Sequence, residues 1–223
     1  MGESVTAVLF DVDGTLVDSN YLHAVTWWQA FGQAGYAVPM AHIHRAIGMG
    51  SDQLLDALLP GDRDTGGDGG IRAAHGALYA TYWSRLRPLP GAAALLRRCK
   101  QQGLRVVLAS SADEPEFKAM RAALDAEDAI DEATFSGDVE QSKPAPDIVR
   151  VALDRAGVPA GQAVFVGDTV WDVRAAQKAG VRCVCLLSGG ISRAELAEAG
   201  AAEVYDGPAD LLACFPGGLL GSR

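Results

Sequence analysis

Four apolar runs constrain the fold of this chain more than any other feature of its sequence. Each run is nearly continuous rather than alternating, which is the pattern of strands that are covered on both faces. The runs are TAVLFD near residues 6–11, LRVVLAS near 104–110, QAVFVGD near 162–168 and RCVCLL near 182–187. A further stretch, AEVYDG near 202–207, is expected to form an edge strand.

Helical patterns lie between and after these runs. They are PEFKAMRAALDA, PDIVRVALDRAG and VWDVRAAQKAG, and the last two close on a glycine, as helices often do. Alternation of strands and helices is typical of a parallel sheet with helices on both faces. The chain is therefore predicted to have an α/β fold of the Rossmann-like kind.

One segment breaks the alternation. Residues 19–87 are rich in Trp, Tyr, His and Ala, contain no convincing strand and are predicted to form an inserted, all-helical cap domain. The α/β core domain would then comprise residues 1–18 and 88–223. Within the insert, GDRDTGGDGG at 61–70 does not follow a strand and lacks a Lys-Ser/Thr pair, so a mobile connection between helices is expected rather than a phosphate-binding loop.

Composition excludes several classes of partner. The formal net charge is -9, which is unfavourable for binding nucleic acid, and 49% of the residues are hydrophobic. No signal peptide or apolar stretch of about 20 residues is apparent, so neither membrane insertion nor export is expected. We expect a cytoplasmic protein, monomeric or weakly dimeric.

Two aspartates crowd the end of the first apolar run, in DVDGT. Asp11 and Asp13 are two residues apart, so their side chains can project in the same direction. Gly14 lets the chain turn away at the place where open α/β sheets bind ligands, beyond the carboxyl ends of their strands. A solvated turn would be the ordinary explanation if this motif stood alone.

Other polar residues follow the later apolar runs. Ser110 and Ser111 end the second run, Lys143 lies in SKPAPD, and Asp168 and Asp172 lie in GDTVWD. Taken singly, these residues could be helix caps or solvated charges. Together they would place carboxylates, a hydroxyl and an ammonium at one edge of the sheet.

That combination suits phosphoryl chemistry. Clustered carboxylates need a compensating cation, and oxygen ligands without His or Cys suit Mg²⁺. A bound divalent ion, a lysine and a hydroxyl match the oxygens of a phosphoryl group. Asp11 could then act as a nucleophile, with Asp13 as its acid/base partner.

The motifs DVDGT, LAS, SKPAPD and GDTVWD, in this order, resemble those of the haloacid dehalogenase (HAD) superfamily, in particular its phosphoglycolate phosphatase and β-phosphoglucomutase-like branch. The resemblance implies that Asp11 is phosphorylated and that Asp13 protonates the leaving oxygen and then activates water. It also implies that Ser110 holds a phosphoryl oxygen and that Lys143 neutralises charge on the nucleophile and phosphate.

The same resemblance implies a metal site and a substrate site. Mg²⁺ would be bound by Asp11, Asp168 and the backbone carbonyl of Asp13, with Asp172 as a supporting acidic residue. The substrate, a small phosphorylated metabolite, would be contacted by residues that include Gly14, Ser111 and His23.

Differences from the sequence patterns of individual subfamilies reduce the number of possible activities. Dehalogenases lack an acidic residue equivalent to Asp13, and phosphonate-cleaving relatives need a cap lysine, which this chain does not have. A β-phosphoglucomutase-like mutase is the nearest alternative, but its cap arginine is replaced by Ser51, although Arg45 or Arg72 could supply a cation. A non-catalytic binding protein is the remaining alternative. We predict a Mg²⁺-dependent phosphatase.

Overall fold

Six parallel strands form the centre of the computed structural model, which describes residues 4–221. They pair in the order β3-β2-β1-β4-β5-β6. The strands are β1 (Ala7–Phe10), β2 (Arg105–Ala109), β3 (Glu132–Thr134), β4 (Ala163–Gly167), β5 (Arg182–Leu186) and β6 (Glu203–Tyr205). This order reverses direction beside β1, and open α/β sheets bind their ligands at such a switch point.

Ten α-helices connect or follow the strands within the described residues. They are α1 (Asn20–Gln33), α2 (Met40–Ala46), α3 (Ser51–Leu58), α4 (Asp68–Ala80), α5 (Ala92–Gln101), α6 (Glu114–Leu124), α7 (Asp147–Ala156), α8 (Val170–Lys178), α9 (Arg193–Ala199) and α10 (Pro208–Cys214). Short 3₁₀ turns lie at Thr65–Gly67, Trp83–Arg85, Glu127–Ala129, Ser136–Asp138, Ala160–Gln162, Leu187–Gly189 and Phe215–Gly217.

Alternation of side chains along each strand divides the core into two layers. In β1, Val8 and Phe10 pack with α5, α6 and α10 on one face, whereas Ala7 and Leu9 pack with α7, α8 and α9 on the other. Because both faces are covered, the strands have no polar face, which explains their continuous apolar sequences. The predicted α/β class with a parallel sheet is confirmed.

The register of the sheet aligns the ends of three neighbouring strands. Phe10, the last residue of β1, pairs with Leu108 in β2 and with Val166 in β4. The residues that follow these strands therefore emerge side by side at one edge of the sheet. Asp11 is fixed there by its backbone N–H, which donates to the carbonyl of Val166 at 2.9 Å.

The first four helices, α1 to α4, form an apolar cluster of their own. Trp27, Phe31, Ile43 and Leu55 belong to this cluster and are buried at the centre of α1 to α4. Its two connections to the sheet pair with each other, since the Asp18 N–H donates to the Arg87 carbonyl and the Leu89 N–H to the Leu16 carbonyl. The two ends of residues 19–87 are thus held side by side.

Two local predictions differ from the structure. Residues 68–70 of the glycine-rich stretch form the first turn of α4 instead of a connection, with Asp68 buried against Arg63. The short strand β3 was not predicted, because its three residues, EAT, include only one fully buried side chain. Within residues 4–221, no helix is both long enough and apolar enough to cross a membrane.

Candidate active site

A buried ion-pair network lies at the end of β1. The Lys143 ammonium contacts Asp11 Oδ1 at 2.5 Å and Asp172 Oδ1 at 2.8 Å, and all three side chains are buried. Burial alone would lower the pKa of Lys143, but these two carboxylates raise it well above its usual value. Lys143 therefore stays charged and is held beside Asp11.

Asp172 is positioned by the start of α8. Its Oδ2 accepts hydrogen bonds from the Thr169 hydroxyl at 2.7 Å and from the Thr169 backbone N–H at 3.0 Å, which forms a capping box. Because its other oxygen faces Lys143, both oxygens of this carboxylate already have partners in the chain. Asp172 consequently holds the lysine in place as well as adding charge to the cluster.

Asp168, at the end of β4, is held by Thr15 in the loop after β1 and by Asn20 at the start of α1. Thr15 Oγ1 donates to its Oδ1 and Asn20 Nδ2 to its Oδ2, each at 2.8 Å. Gly14 has a φ of 69° and lies directly under this arrangement, because an added Cβ would come within 2.5 Å of Asp168 Oδ2. The glycine is required for this close approach between the two strand ends.

Asp11, Asp168 and Asp172 form a cluster that fits a divalent cation. One carboxylate oxygen from each lies within 4.8 Å of the others, and all three residues are buried. Burial, together with Asp172 and Asp13, raises the pKa of Asp11 to about 7, although Lys143 opposes the shift. Burial and the two neighbouring carboxylates also raise the pKa of Asp168. Such shifts arise where negative charge is under-compensated, as in an oxygen-ligand cation site.

Asp13 lines the same cleft as Asp11 and contacts the first helix of the insert. Its Oδ1 accepts a hydrogen bond from Ser19 Oγ at 2.6 Å and lies 3.0 Å from His23 Nε2. Burial would raise the pKa of Asp13, but His23 and Ser19 lower it below its usual value. The carboxylate form of Asp13 is thus favoured in this arrangement.

The His23 ring makes polar contacts with three side chains. Besides Asp13, it contacts Glu116 Oε1 at 3.3 Å through Nε2 and His75 Nε2 at 3.3 Å through Nδ1. Burial would lower the pKa of His23, but Glu116 and Asp13 raise it. A protonated His23 can donate from both ring nitrogens, so His75 must accept with a neutral ring.

His75 completes an aromatic wall on α4 and α1. Its ring stacks on Trp27 at 4.0 Å between centroids, while the His23 ring stacks on Tyr79 at 3.9 Å. Burial, together with the charge of His23, lowers the pKa of His75 to about 2. His75 is therefore neutral and fixes the orientation of His23.

This shift predicts how stability depends on pH. In the unfolded chain His75 binds a proton below about pH 6.5, whereas the folded protein does not, so stability falls as pH decreases. Between pH 7 and pH 5 the loss from one such group is about 2 kcal/mol. We expect His75→Gln to reduce this pH-dependent loss, measured by denaturant unfolding at both pH values. The exposed His42, changed to Gln, is the control; an identical pH dependence in the wild type and His75→Gln would contradict the assignment.

A cleft of about 360 Å³ lies between the strand ends and the inserted helices. The sheet side contributes Asp11, Asp13, Lys143 and the loop that carries Ser111; the helical side contributes His23, Met49, Ser51, Arg72, His75 and Gly76. This size suits a small metabolite. Contacts such as Asp52 Oδ1 with Ser142 Oγ at 2.5 Å join the two sides at its margin.

The structure places the sequence-predicted residues unequally. Asp11, Asp13, Lys143, Ser111 and His23 line the cleft, whereas Gly14, Ser110, Asp168 and Asp172 do not. Ser110 is buried at the end of β2, where its hydroxyl accepts the Ala112 N–H at 3.1 Å. The geometry of Gly14 is explained by packing against Asp168 rather than by a contact in the cleft.

Several residues of the site were not predicted from the sequence. They are Thr15, Asn20, Glu116 and His75. His75 lines the cleft beside His23. In the sequence, only its spacing of three residues from Arg72, which places both residues on one face of α4, indicates this position.

Several known proteins are similar to this chain. A family model described as haloacid dehalogenase-like hydrolase matches residues 5–180. The chain is 32% identical over 214 residues to a phosphoglycolate phosphatase of Rhodospirillum rubrum, covering 92% of this chain and 88% of that protein. It is also 32% identical over 209 residues to the protein SUPPRESSOR OF QUENCHING 1, chloroplastic, of Arabidopsis thaliana; the match covers 91% of this chain but only 20% of the plant protein.

Solved structures give the same picture. A hydrolase from Pseudomonas syringae superposes with a TM-score of 0.89 at 32% identity, covering 93% of this chain and 96% of that one. A β-phosphoglucomutase from Clostridium difficile superposes with a TM-score of 0.81 at 19% identity, covering 93% of each chain. The second likeness concerns the fold alone.

Proposed function

This chain belongs to the haloacid dehalogenase-like hydrolases, and on that premise we propose that it hydrolyses a small phosphomonoester with Mg²⁺ through a phosphorylated Asp11. The observation that carries the proposal is the placement of Asp11 against Lys143, with Asp13 two residues further along the chain and in the same cleft. Its phosphoglycolate phosphatase relative supports the reaction class.

In the first step, Asp11 attacks phosphorus and the bond to the ester oxygen breaks. The Lys143 ammonium, 2.5 Å from Asp11 Oδ1, lowers the repulsion between this carboxylate and the phosphoryl oxygens. The departing alkoxide needs a proton, and the hydrogen-bonded pair of His23 and Asp13 holds one at the cleft. We assign the transfer to Asp13, which passes on the proton held by His23, so that His23 is neutral until the second step.

In the second step, Asp13 takes a proton from water, which attacks phosphorus and releases inorganic phosphate. The Asp11 carboxylate is regenerated, and the proton returns to the Asp13–His23 pair, so no external acid or base is consumed. Ser19, which donates to Asp13 at 2.6 Å, keeps the carboxylate oriented between the steps.

Mg²⁺ would be held by Asp11 and Asp168, the backbone carbonyl of Asp13 and, as support, Asp172. When bound, it supplies positive charge to the phosphoryl oxygens and to the nucleophile. Thr15 and Asn20 would keep Asp168 aimed at the ion, since they hold both of its oxygens.

We further propose that residues 19–87 act as a cap over a core formed by residues 1–18 and 88–223. The paired connections at residues 16–18 and 87–89 would be the hinge. Closure would exclude bulk water and bring His23 to Asp13, as the two are in contact in this structure.

Phosphate release from a panel of phosphomonoesters tests the proposal. We expect turnover of at least one small substrate in Mg²⁺, with 2-phosphoglycolate as the first candidate because of the relative's activity. Asp13→Asn should lower the rate by about 10²–10⁴-fold, the usual contribution of an acid/base group. Absence of hydrolysis across a broad panel would overturn the proposal.

A phosphosugar mutase is the second candidate, because Arg72 lines the cleft and could hold a second phosphate. Ser51, which also lines the cleft, stands where the mutase pattern has arginine, and this favours water as the acceptor. An assay with β-glucose 1-phosphate and a bisphosphate primer distinguishes the phosphatase from the mutase. It compares the rate of phosphate release with the rate of glucose 6-phosphate formation. Isomerisation faster than the hydrolysis of every panel substrate would make the mutase the correct assignment.

A further inference from the structure

Glu116 is a largely buried carboxylate of the cleft that the proposed chemistry leaves without a role. It lies in the first turn of α6, and its side chain is 13% exposed. Its Oε1 is 3.3 Å from His23 Nε2, and the same nitrogen is 3.0 Å from Asp13 Oδ1. One nitrogen and two carboxylate oxygens, from three different parts of the chain, are therefore brought together at the cleft.

These ligand atoms are spaced like the corners of a tetrahedral metal site. Zn²⁺ binds histidine nitrogen and carboxylate oxygen at about 2.0–2.2 Å, so two corners of its tetrahedron lie about 3.3 Å apart. Both distances from His23 Nε2 are close to this value. One ligand atom from each of the three residues also lies within 4.8 Å of the others. Only small side-chain movements are needed to surround an ion.

His75 orients the His23 ring for metal binding. His23 Nδ1 lies 3.3 Å from His75 Nε2, and burial, with the charge of His23, keeps His75 neutral by lowering its pKa to about 2. A neutral His75 can accept the Nδ1–H of a neutral His23, which directs the Nε2 lone pair toward Asp13 and Glu116. Metal-binding histidines are usually fixed in this way, through a hydrogen bond from the other ring nitrogen.

The Tyr79 hydroxyl is a second, independent sign of a polar ligand at this place. Tyr79 is fully buried, and its ring stacks on that of His23 with centroids 3.9 Å apart. Its hydroxyl has no hydrogen-bond partner within residues 4–221. Burial and the charges of Asp13 and Glu116 raise the pKa of Tyr79, although Ser19 opposes the shift, so the hydroxyl lies near both carboxylates. A buried donor without an acceptor is costly, and an oxygen at the open fourth corner of the site would accept from it.

Charge and ligand type distinguish this group from the carboxylate cluster at Asp11. Two carboxylates and a neutral imidazole carry two negative charges, which one divalent ion compensates. Imidazole nitrogen suits Zn²⁺ and similar transition-metal ions, whereas Mg²⁺ prefers oxygen ligands. Asp11, Asp168 and Asp172 offer carboxylate oxygens only. The two groups should therefore select different ions.

From this arrangement we propose that Asp13, His23 and Glu116 form a second metal site, selective for Zn²⁺ or a similar transition-metal ion, and that its occupation inhibits the enzyme. The ion would displace the proton from His23 Nε2 and engage the Asp13 carboxylate. Neither group is then available for proton transfer to the leaving oxygen. Binding does not depend on the proposed phosphatase function, whereas the inhibition rests on it.

Zn²⁺ binding tests the site without turnover. Titration calorimetry uses Asp168→Asn as the background, because this change impairs the carboxylate cluster. We expect a single Zn²⁺ per chain, and Glu116→Gln in that background should weaken its affinity by about 100-fold or more, since even the loss of an outer hydrogen-bond partner costs about 10–100-fold. Glu140→Gln is the matched control, because Glu140 lines the cleft outside the site.

His75→Phe tests the outer contact in the same background. It keeps a ring beside Trp27 but removes the acceptor for the His23 Nδ1–H. We expect the affinity for Zn²⁺ to fall by about 10–100-fold. Equal affinities in Glu116→Gln and Glu140→Gln would overturn the site.

Inhibition is measured as phosphate release at saturating Mg²⁺ with increasing Zn²⁺, and each variant is compared with its own rate without Zn²⁺. We expect the inhibition to persist when Mg²⁺ is raised about tenfold, since Mg²⁺ does not compete for a nitrogen ligand. Half-inhibition of Glu116→Gln should need at least about tenfold more Zn²⁺ than that of Glu140→Gln. Inhibition that Mg²⁺ fully relieves, and that Glu116→Gln leaves unchanged, would overturn the proposal.

The two experiments separate this proposal from the proposed function. If no substrate is hydrolysed but Zn²⁺ binding depends on Glu116, the phosphatase function fails and the metal site stands. If hydrolysis proceeds and Zn²⁺ binding is unchanged by Glu116→Gln, the metal site fails and the phosphatase function stands.

Discussion

Asp11→Asn is expected to reduce phosphatase turnover by about 10³-fold or more, because it removes the nucleophile. The carboxamide keeps the shape of the side chain. It also keeps an oxygen that can accept a hydrogen bond from the Lys143 ammonium, which lies 2.5 Å from Asp11 Oδ1 in the wild type. It cannot attack phosphorus, so the loss should fall on kcat. The measurement is phosphate release under saturating substrate and Mg²⁺.

The fold should tolerate this substitution. Burial and neighbouring carboxylates raise the pKa of Asp11 to about 7, so its ionised form is disfavoured in the folded protein without a cation. Replacing it with a neutral amide should leave the midpoint of unfolding unchanged or higher. A loss of activity that accompanies unfolding would point instead to a structural defect.

Asp113→Asn is the matched control. Asp113 also lines the cleft, but its side chain caps α6 by accepting the Glu116 N–H at 3.0 Å, which asparagine does equally well. We expect less than about a threefold change in its rate, a limit set by the small cost of exchanging these two caps. Near-normal turnover in Asp11→Asn, or an equal loss in Asp113→Asn, would show that Asp11 is not the nucleophile.

The strand-end residues of the site could be predicted from the sequence because their placement follows from local rules. A continuous apolar run indicates a strand in a covered sheet, and the carboxyl ends of neighbouring parallel strands lie at one edge. Asp11, Ser110 and Asp168 each directly follow such a run. Those rules needed only the type and direction of each strand.

The other side of the cleft depends on how the inserted helices pack against the sheet. His75 and His23 are 52 residues apart, and nothing local to either sequence position indicates that their rings meet. Glu116 lies in the first turn of α6, just after the loop that follows β2, and it contacts His23 because the insert packs over this loop. Such contacts are set by tertiary packing, which sequence periodicity alone does not specify.

The cation site carries the last prediction. Asp11, Asp168 and Asp172 bring three carboxylates within 4.8 Å, and Lys143 supplies a single compensating charge. We expect EDTA to abolish turnover and Mg²⁺ to restore it. Ca²⁺ should not replace Mg²⁺, because the larger ion takes more oxygen ligands and can engage both oxygens of the nucleophile.

Unfolding experiments provide a readout that does not depend on activity. Mg²⁺ at 100 times its dissociation constant should stabilise the folded protein by about 2.7 kcal/mol. The sign of the pH dependence follows from the pKa of about 7 at Asp11. Below that pH a proton binds the carboxylate and competes with the ion. Stabilisation by Mg²⁺ should therefore increase as pH rises through 7.

Asp168→Asn separates a specific site from general charge screening. The amide keeps an oxygen for the bond from Thr15 but removes one of the clustered charges. We expect the Mg²⁺-dependent rise in the unfolding midpoint to be largely lost in this variant and retained in Asp52→Asn, whose carboxylate lines the cleft outside the cluster. Full activity in excess EDTA would exclude a cation held by these carboxylates. So would an unchanged Mg²⁺-dependent rise in the unfolding midpoint of Asp168→Asn, because Asp168 is the described residue that joins Asp11 and Asp172 in the cluster.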